Sequence, residues 1–279
     1  MSDYNPELIQ DIHLEFPFQG NICRFSMQLD LNEYSQKAMW IYFNKGQLYE
    51  PETSRLFCTL LQPGDSVIDV GGHIGYFSLM AAAITGNNGH VYTFEPEAAN
   101  YQNLLKNIQR NPFKNIQVFH EAAGECEKEV TFYINADNDG GHALWDVSKH
   151  DFNELSRNHL ETRSIHQTTL THALKEKMHS PLRLIKMDVE GCELKVLQGA
   201  KQLLIENDYP FVIAEVNRFA MKQMNTDETE LRRFMSSMGY HAYYPEEDGI
   251  TALNDDQIIE SEYVFNLLFA LPDRLVSVN

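Results

Sequence analysis

The chain has 279 residues, of which 43% are hydrophobic and 22% are charged. This composition is typical of a globular protein and excludes a disordered or fibrous chain. Its 22 basic and 40 acidic residues give a net charge of −18, and the resulting field repels nucleic acid and anionic membranes.

Cysteine usage and the N-terminal sequence predict a cytoplasmic location. The four cysteines form no CxxC pair and no spacing typical of metal ligands. Residues 1–15 lack the basic and apolar regions of a signal peptide, and no run approaches the roughly 18 apolar residues of a membrane span. We therefore expect no membrane or nucleic-acid partner. The oligomeric state stays open, with a homodimer among the alternatives.

The predicted elements begin with an N-terminal extension, residues 1–52, which we expect to pack on the core as a lid. Within it, the apolar residues 39–43 are interpreted as a core strand. From Ser66 onwards, short apolar runs alternate with amphipathic ones, which predicts strands at 66–70, 90–94 and 116–119 and helices at 76–84 and 98–108. Strands alternating with helices are typical of a parallel sheet with crossover connections.

The second half of the chain repeats this pattern after an insert at about 121–170. The insert reads as irregular, apart from a strand at 129–134. Beyond it we predict strands at 183–188, 211–216, 240–244 and 264–271, and helices at 192–206 and 227–238. The last two strands have no helix between them and are expected to pair antiparallel. Residues 53–279 are thus predicted to form one α/β domain, a mostly parallel twisted sheet with helices on both faces and an antiparallel C-terminal strand.

A glycine-rich turn follows the strand at 66–70, in the order Asp69-Val-Gly-Gly-His-Ile-Gly75. A dinucleotide-binding fingerprint would need glycine where Val70 stands. Asp69 at the strand end disfavours a pyrophosphate but suits a cationic amino or sulfonium group. Glu95 ends the next strand, where a carboxylate can accept two hydrogen bonds from a ribose diol. The pair predicts a nucleoside ligand that carries positive charge.

Three segments together resemble the FkbM family of S-adenosylmethionine-dependent methyltransferases: Asp69 to Ser78, Phe94-Glu95-Pro96, and Leu184-Ile-Lys-Met-Asp-Val-Glu-Gly-Cys-Glu193 followed by Val196 to Ala200. The resemblance covers roughly residues 49–215. It implies a Rossmann-like class I methyltransferase fold and S-adenosylmethionine as the cofactor. Residues 49–52 would, by this resemblance, close over the cofactor.

The resemblance also implies the cofactor-binding residues. These are Asp69, Gly71, Gly72, His73, Ile74 and Gly75 for the methionine end, Glu95 with Pro96 for the ribose, Glu121 with Ala122 for the adenine edge, and Asp188. His73 departs from the family, which usually has asparagine at this position. The departure indicates either a changed contact or a tolerated exchange.

A second acidic group follows the two later parallel strands, at the edge of the sheet where ligands of this architecture bind. We expect Asp188, Glu190 and Glu215 to be catalytic. An alcohol needs its proton removed to become a good nucleophile, so Asp188 is the candidate general base. Alternatively, Asp188, Glu215 and Asn217 could bind Mg²⁺ and lower the pKa of the acceptor hydroxyl.

The sequence therefore predicts methyl transfer from S-adenosylmethionine to a hydroxyl of a sugar or specialised metabolite, with a small molecule or glycan as the acceptor. N-methylation of an amide or amine is the alternative within this class. A non-catalytic nucleoside-binding protein and an NAD-dependent oxidoreductase are the alternatives from other classes. His142 and Trp145, in the insert, either touch the substrate or are merely solvated.

Overall fold

A computed structural model describes residues 5–178, 180–254, 257, 259–260 and 264–275. Its strands are β1 (Ile9–Phe18), β2 (Asn21–Asp30), β3 (Ser66–Val70), β4 (His90–Phe94), β5 (Ile116–Phe119), β6 (Ala122–Ala123), β7 (Lys128–Ile134), β8 (Glu161–Thr168), β9 (Leu182–Met187), β10 (Phe211–Val216), β11 (His241–Glu246), β12 (Gly249–Ala252) and β13 (Phe265–Ala270). Its α-helices are α1 (Tyr34–Asn44), α2 (Pro51–Leu60), α3 (Tyr76–Thr85), α4 (Ala98–Gln109), α5 (Glu154–Asn158), α6 (Leu170–Leu174), α7 (Glu193–Gly199), α8 (Lys201–Glu206), α9 (Arg218–Gln223), α10 (Glu228–Ser237) and α11 (Pro272–Leu275).

The central sheet has eight strands in the order β12-β11-β13-β10-β9-β3-β4-β5. Strands β10, β9, β3, β4 and β5 are parallel, whereas β13 pairs antiparallel with both β10 and β11. Successive residues of β3 supply two separate apolar cores, because Val67 packs on one face of the sheet and Ile68 on the other. The predicted fold class, including the antiparallel pairing at the C-terminal side, is confirmed.

Most predicted helices and strands lie within two residues of their expected positions. The helix expected at 192–206 is interrupted at Ala200, which ends α7 and precedes α8. Asp227 is the N-cap of α10, where its side chain accepts from the backbone N–H of Glu230. No helix in the described part of the chain combines the length and the apolarity that a membrane span requires.

The prediction of a strand at residues 39–43 is wrong, because these residues belong to α1. An apolar run of five residues fits a buried strand or one side of a helix equally well. The burial pattern decides the matter: Gln36 and Met39 are buried, three residues apart, whereas Ile41 is 44% exposed.

The N-terminal extension also contains a hairpin that the sequence analysis did not identify. Strands β1 and β2 pair antiparallel, and Gln19 and Gly20 between them have φ values of 46° and 76°. From Leu14 on β1 and from Phe25 on β2, every second residue is buried: Leu14, Phe16 and Phe18 on β1 and Phe25, Met27 and Leu29 on β2. These side chains share one core with α3, so the hairpin packs on the domain.

The insert is more regular than predicted. Strands β6, β8 and β7 form a separate three-stranded sheet, in which Lys128 to Ile134 pair antiparallel with Gln167 to Glu161. Strand β8 is largely exposed and polar, and such a strand lacks the hydrophobic alternation by which strands are recognised.

Two asparagines hold the outer edge of the hairpin against α4. The Asn111 side chain accepts from the Ser26 backbone N–H and donates to its carbonyl, both at 2.8 Å. The Asn107 side chain accepts from the Gln28 N–H at 2.8 Å and donates to the Ile74 carbonyl at 2.9 Å. These contacts satisfy backbone groups that a strand edge would otherwise leave unpaired.

We expect Asn107→Ala to lower the free energy of unfolding by about 1–3 kcal/mol, because it leaves buried backbone groups without partners. Gln102→Ala, on the exposed side of the same helix, is the control and should change it by no more than about 0.5 kcal/mol. Urea unfolding followed by circular dichroism measures both values. Equal effects of the two substitutions would show that the asparagine does not hold the hairpin.

Candidate active site

A cavity of about 350 Å³ lies at the carboxyl ends of β3, β4, β9 and β10. Most of the site residues predicted from the sequence line it: Asp69, Gly71, Gly72, His73, Glu95, Pro96, Glu121, Ala122, Asp188, Glu190, Glu215 and Asn217. The sheet topology explains this convergence, because parallel strands end at a common edge.

Two residues predicted to bind the cofactor, Ile74 and Gly75, are not in the cavity wall. Ile74 is fully buried in the core beneath the turn. Gly75 has a φ of 99° and precedes α3, and a Cβ on it would lie 2.4 Å from Leu104 Cδ1. Both residues therefore shape the turn from behind, and glycine is required at 75 by its backbone conformation and by the close approach of α4.

Asp69 is 1% exposed and has one oxygen without a partner. Its Oδ2 accepts from Ser78 Oγ at 2.6 Å, whereas Oδ1 is buried without a hydrogen bond among the described residues. Burial raises the pKa of this carboxyl, against the opposing effect of Lys186. Such an oxygen in a cavity wall fits a cationic ligand group.

Glu95 is held by backbone groups on both oxygens. Its Oε2 accepts from the His73 N–H and its Oε1 from the Glu97 N–H, each at 2.8 Å. Burial raises its pKa to about 7. Because each carboxylate oxygen can accept two hydrogen bonds, Glu95 is fixed in place and can still bind a diol.

Three non-glycine residues of the cavity wall have positive φ: Glu50 (43°), His73 (48°) and Glu190 (51°). This conformation is strained for residues with a Cβ, and such strain concentrates at functional sites. Glu190 is followed by Gly191, where a Cβ would lie 2.5 Å from the backbone carbon of Ala220. Close packing against α9 thus imposes the turn that directs Glu190.

Asp188, Glu190 and Glu215, here termed the carboxylate cluster, each place one oxygen within 4.8 Å of the others. Burial, reinforced by Asp188, raises the pKa of Glu190 to about 8. Burial, Asp188 and Glu190 raise the pKa of Glu215 well above its usual range. Each carboxylate of the cluster therefore makes ionisation of its neighbours less favourable.

Asn217, a member of the predicted metal set, caps α9. Its Oδ1 accepts from the Ala220 N–H at 3.1 Å, and its Nδ2 donates to Glu190 Oε2 at 3.0 Å. An amide oxygen has two lone pairs, so capping leaves Oδ1 able to bind a second partner. The metal set of Asp188, Glu215 and Asn217 stays a prediction, and Glu190 is a further carboxylate close to Asp188 and Glu215.

Lys186 and Glu50 line the cavity but were not identified as site residues. Lys186 is 3% exposed, and its Nζ lies 3.4 Å from Asp188 Oδ2. Burial opposes its charge, but Asp188, Asp69, Glu50 and Glu215 outweigh burial and raise its pKa. Glu50 accepts from Asn266 Nδ2 at 3.0 Å. A lysine within the apolar strand Leu182–Met187 was a signal that could have been recognised.

Asp139, in the insert, joins three parts of the cavity wall. Its side chain accepts from the Ser35 N–H at 2.8 Å and from Gln36 Nε2 at 3.0 Å, and its Oδ2 lies 2.9 Å from His73 Nε2. Burial opposes the charge on His73, but Asp139 prevails and raises the pKa of the imidazole, while the pKa of Asp139 itself is lowered. The first turn of α1, the insert and the glycine turn are thereby tied together.

The structure separates the two insert residues that the sequence left undecided. His142 lines the cavity and accepts from the Asn135 N–H through Nδ1 at 2.9 Å, and burial lowers its pKa to about 4. Its imidazole is therefore neutral. Trp145 donates through Nε1 to the Glu190 carbonyl at 2.9 Å, so it acts on the site by holding Glu190.

Comparison with known proteins gives one family match and several similar chains. A family model for the methyltransferase FkbM domain matches residues 69–242, more than half of the chain. A protein-L-isoaspartate O-methyltransferase of Methanothermobacter thermautotrophicus is 35% identical over 60 residues, which cover 22% of this chain and 28% of that relative.

Two similar solved structures are a methyltransferase FkbM from Methylobacillus flagellatus and a fibrillarin from Aeropyrum pernix with natively bound S-adenosylmethionine. The first has a TM-score of 0.48 and 19% identity, over 80% of this chain and 47% of that chain. The second has a TM-score of 0.42 and 12% identity, over 92% of this chain and 81% of that chain. The match therefore spans less than half of the Methylobacillus chain.

We expect His73→Asn to destabilise the protein by about 1–3 kcal/mol at low pH, because it removes a charge-assisted hydrogen bond to Asp139. A histidine whose pKa is raised on folding stabilises the folded state fully below its ordinary pKa, about 6.5. This contribution is lost as the pH rises through the folded-state pKa. The difference between variant and wild type should thus be largest near pH 6 and smallest near pH 9. Urea unfolding at both values measures it, and a gap that is the same at both would argue against the ion pair.

Proposed function

The chain belongs to the FkbM family of S-adenosylmethionine-dependent methyltransferases, and on this premise we propose that it methylates a hydroxyl of a sugar or specialised metabolite. Family membership favours this function over an NAD-dependent oxidoreductase and over a non-catalytic nucleoside-binding protein. The observation that carries the proposal is the meeting of two carboxylate groups in one cavity. Asp69 and Glu95 lie at the carboxyl ends of β3 and β4, and the carboxylate cluster lies at the carboxyl ends of β9 and β10.

The residues of the cavity fit S-adenosylmethionine. The unpartnered Oδ1 of Asp69 suits the cationic methionine part, and Glu95 suits the ribose diol. Glu121 and Ala122 line the same cavity and are assigned to the adenine edge. When bound, the cofactor supplies an electrophilic methyl group on a sulfonium.

We assign removal of the hydroxyl proton to the pair Glu190 and Glu215. Their raised pKa values make these two carboxylates, once deprotonated, stronger bases than an ordinary carboxylate. Asp188 Oδ2 lies 3.4 Å from the Lys186 ammonium, and we assign to this ion pair a positioning role. The assigned base is therefore the pair Glu190 and Glu215, in place of Asp188, which the sequence suggested.

The acidic wall of the cavity also restricts the acceptor. An anionic acceptor would be repelled by the carboxylate cluster, so a neutral or cationic small molecule or glycan fits better. The same carboxylates suit an amine, which keeps N-methylation as the second candidate.

The four cysteines are all free, which agrees with the proposed cytoplasmic setting.

Calorimetric titration with S-adenosylmethionine, S-adenosylhomocysteine and NAD⁺ tests the cofactor, each ligand with and without Mg²⁺. We expect micromolar dissociation constants for the first two and no binding of NAD⁺. An acceptor screen by release of S-adenosylhomocysteine, with hydroxyl and amine compounds of matched skeleton, then decides between O- and N-methylation. Turnover of the amines alone would reject the proposed hydroxyl acceptor.

Asp69→Asn and Asp188→Asn make the same chemical change in the two carboxylate groups. We expect Asp69→Asn to weaken S-adenosylmethionine binding by about 10- to 100-fold, because a buried charge that faces the cationic ligand is lost. Asp188→Asn should leave the dissociation constant within about threefold and lower kcat by at least about tenfold. Calorimetry and initial rates measure these quantities, and equal loss of binding in both variants would contradict the division of roles.

A further inference from the structure

A lysine lies among the carboxylates of the cavity. Lys186 is in register with Asp69 of the neighbouring strand β3, and it forms part of the wall although it is 3% exposed. Asp188 and Glu215, at the ends of β9 and β10, and Glu50, before α2, all interact with it electrostatically. A buried cation thus lies among the carboxylates of the cavity wall.

The ammonium of Lys186 has hydrogen-bonding capacity to spare. Its three N–H donors make one contact in the described part of the chain, the 3.4 Å approach to Asp188 Oδ2. Its Nζ also lies 4.9 Å from the centre of the Phe77 ring, which lines the cavity as well. Polar groups buried this deeply normally have their hydrogen bonds made, so the free donors point to a ligand atom.

The same ammonium competes with a metal ion. A divalent cation on the carboxylate cluster would share Asp188 with Lys186, and the two positive charges would repel each other at short range. The carboxylates of the cluster are the ligands that Mg²⁺ prefers, but one of them already has a cationic partner.

We propose that Lys186 is a catalytic residue of the methyl transfer, whose ammonium donates a hydrogen bond to the acceptor oxygen and takes the place of a divalent metal ion. The inference rests on the proposed hydroxyl acceptor. The new O–C bond forms as the S–C bond of the cofactor breaks with its electron pair remaining on sulfur, and the hydroxyl proton passes to the Glu190 and Glu215 pair. As that proton leaves, the ammonium stabilises the negative charge that develops on oxygen.

Binding of Mn²⁺, followed by electron paramagnetic resonance, tests the exchange of metal for ammonium without any acceptor or cofactor. We expect the wild type and Lys186→Arg to bind Mn²⁺ weakly at the cluster. Lys186→Met should bind it at least about tenfold more tightly, because a competing positive charge is gone. Adding Asp188→Asn to that variant should abolish the gain. Lys186→Gln, which keeps a hydrogen-bonding side chain, replaces Lys186→Met if circular dichroism shows that the latter is unfolded.

Turnover with the acceptor found in the screen tests the contact with oxygen. Chelation by EDTA should leave the wild-type rate unchanged. Lys186→Met should lower kcat by about 100-fold or more, while the dissociation constant for S-adenosylhomocysteine, which lacks the sulfonium charge, stays within about threefold. Lys186→Arg, which retains the charge, should recover part of the rate.

Three results would overturn the inference alone: wild-type turnover that EDTA abolishes, Mn²⁺ binding that is equally tight in wild type and Lys186→Met, or full activity of Lys186→Met. Failure of the wild type to bind S-adenosylmethionine would instead overturn the proposed function, and the inference with it. The calorimetric titration of the wild type therefore separates the two failures.

Discussion

Burial of negative charge at the carboxyl edge of a parallel sheet is the constraint on which the rest of this structure depends. The carboxylates are accommodated differently: Glu95 accepts from two backbone N–H groups, Asp188 lies beside the ammonium of Lys186, and burial raises the pKa of Glu215. Asp69 keeps one oxygen without a partner. A cationic ligand that reaches this oxygen would supply the missing partner, so ligand binding and compensation of the Asp69 charge would coincide.

The fold was predictable where local pattern and burial agree. Short apolar strands followed by amphipathic helices located the parallel core, and β10 was placed to the residue. Residues 39–43 were assigned to a strand instead of a helix, because five consecutive apolar residues show neither the period of a helix nor that of a strand. Strand β8 was not predicted, because its side chains are largely exposed and polar. It pairs with β7 through the backbone, and such pairing leaves no hydrophobic pattern in the sequence. The hairpin of β1 and β2, in contrast, had a clear alternation that could have been recognised.

The site was predictable where a motif places a residue at the end of a strand, as at Asp69, Glu95, Asp188 and Glu215. It was not predictable where a role depends on contact between distant segments. Asp139 meets His73 across 66 residues of sequence, and nothing near either residue indicates the other. Asn217 shows a second limit, because its place after β10 suggests a metal ligand, whereas only its contacts show that it caps α9 and donates to Glu190. Residue type and spacing define candidates, and the hydrogen-bond partners then select among them.

The hydrogen bonds of Asp139 join two parts of the cavity wall. On one side of Asp139 are the glycine turn and the strand ends, while on the other are α1 and the insert, which contribute Ser35, Met39 and His142 to the wall. A single side chain thus fixes these two parts of the wall relative to each other. Exchange of residues 135–144 as a block, with the aspartate kept, would therefore reshape one part of the wall while the glycine turn keeps its hydrogen-bonded partner.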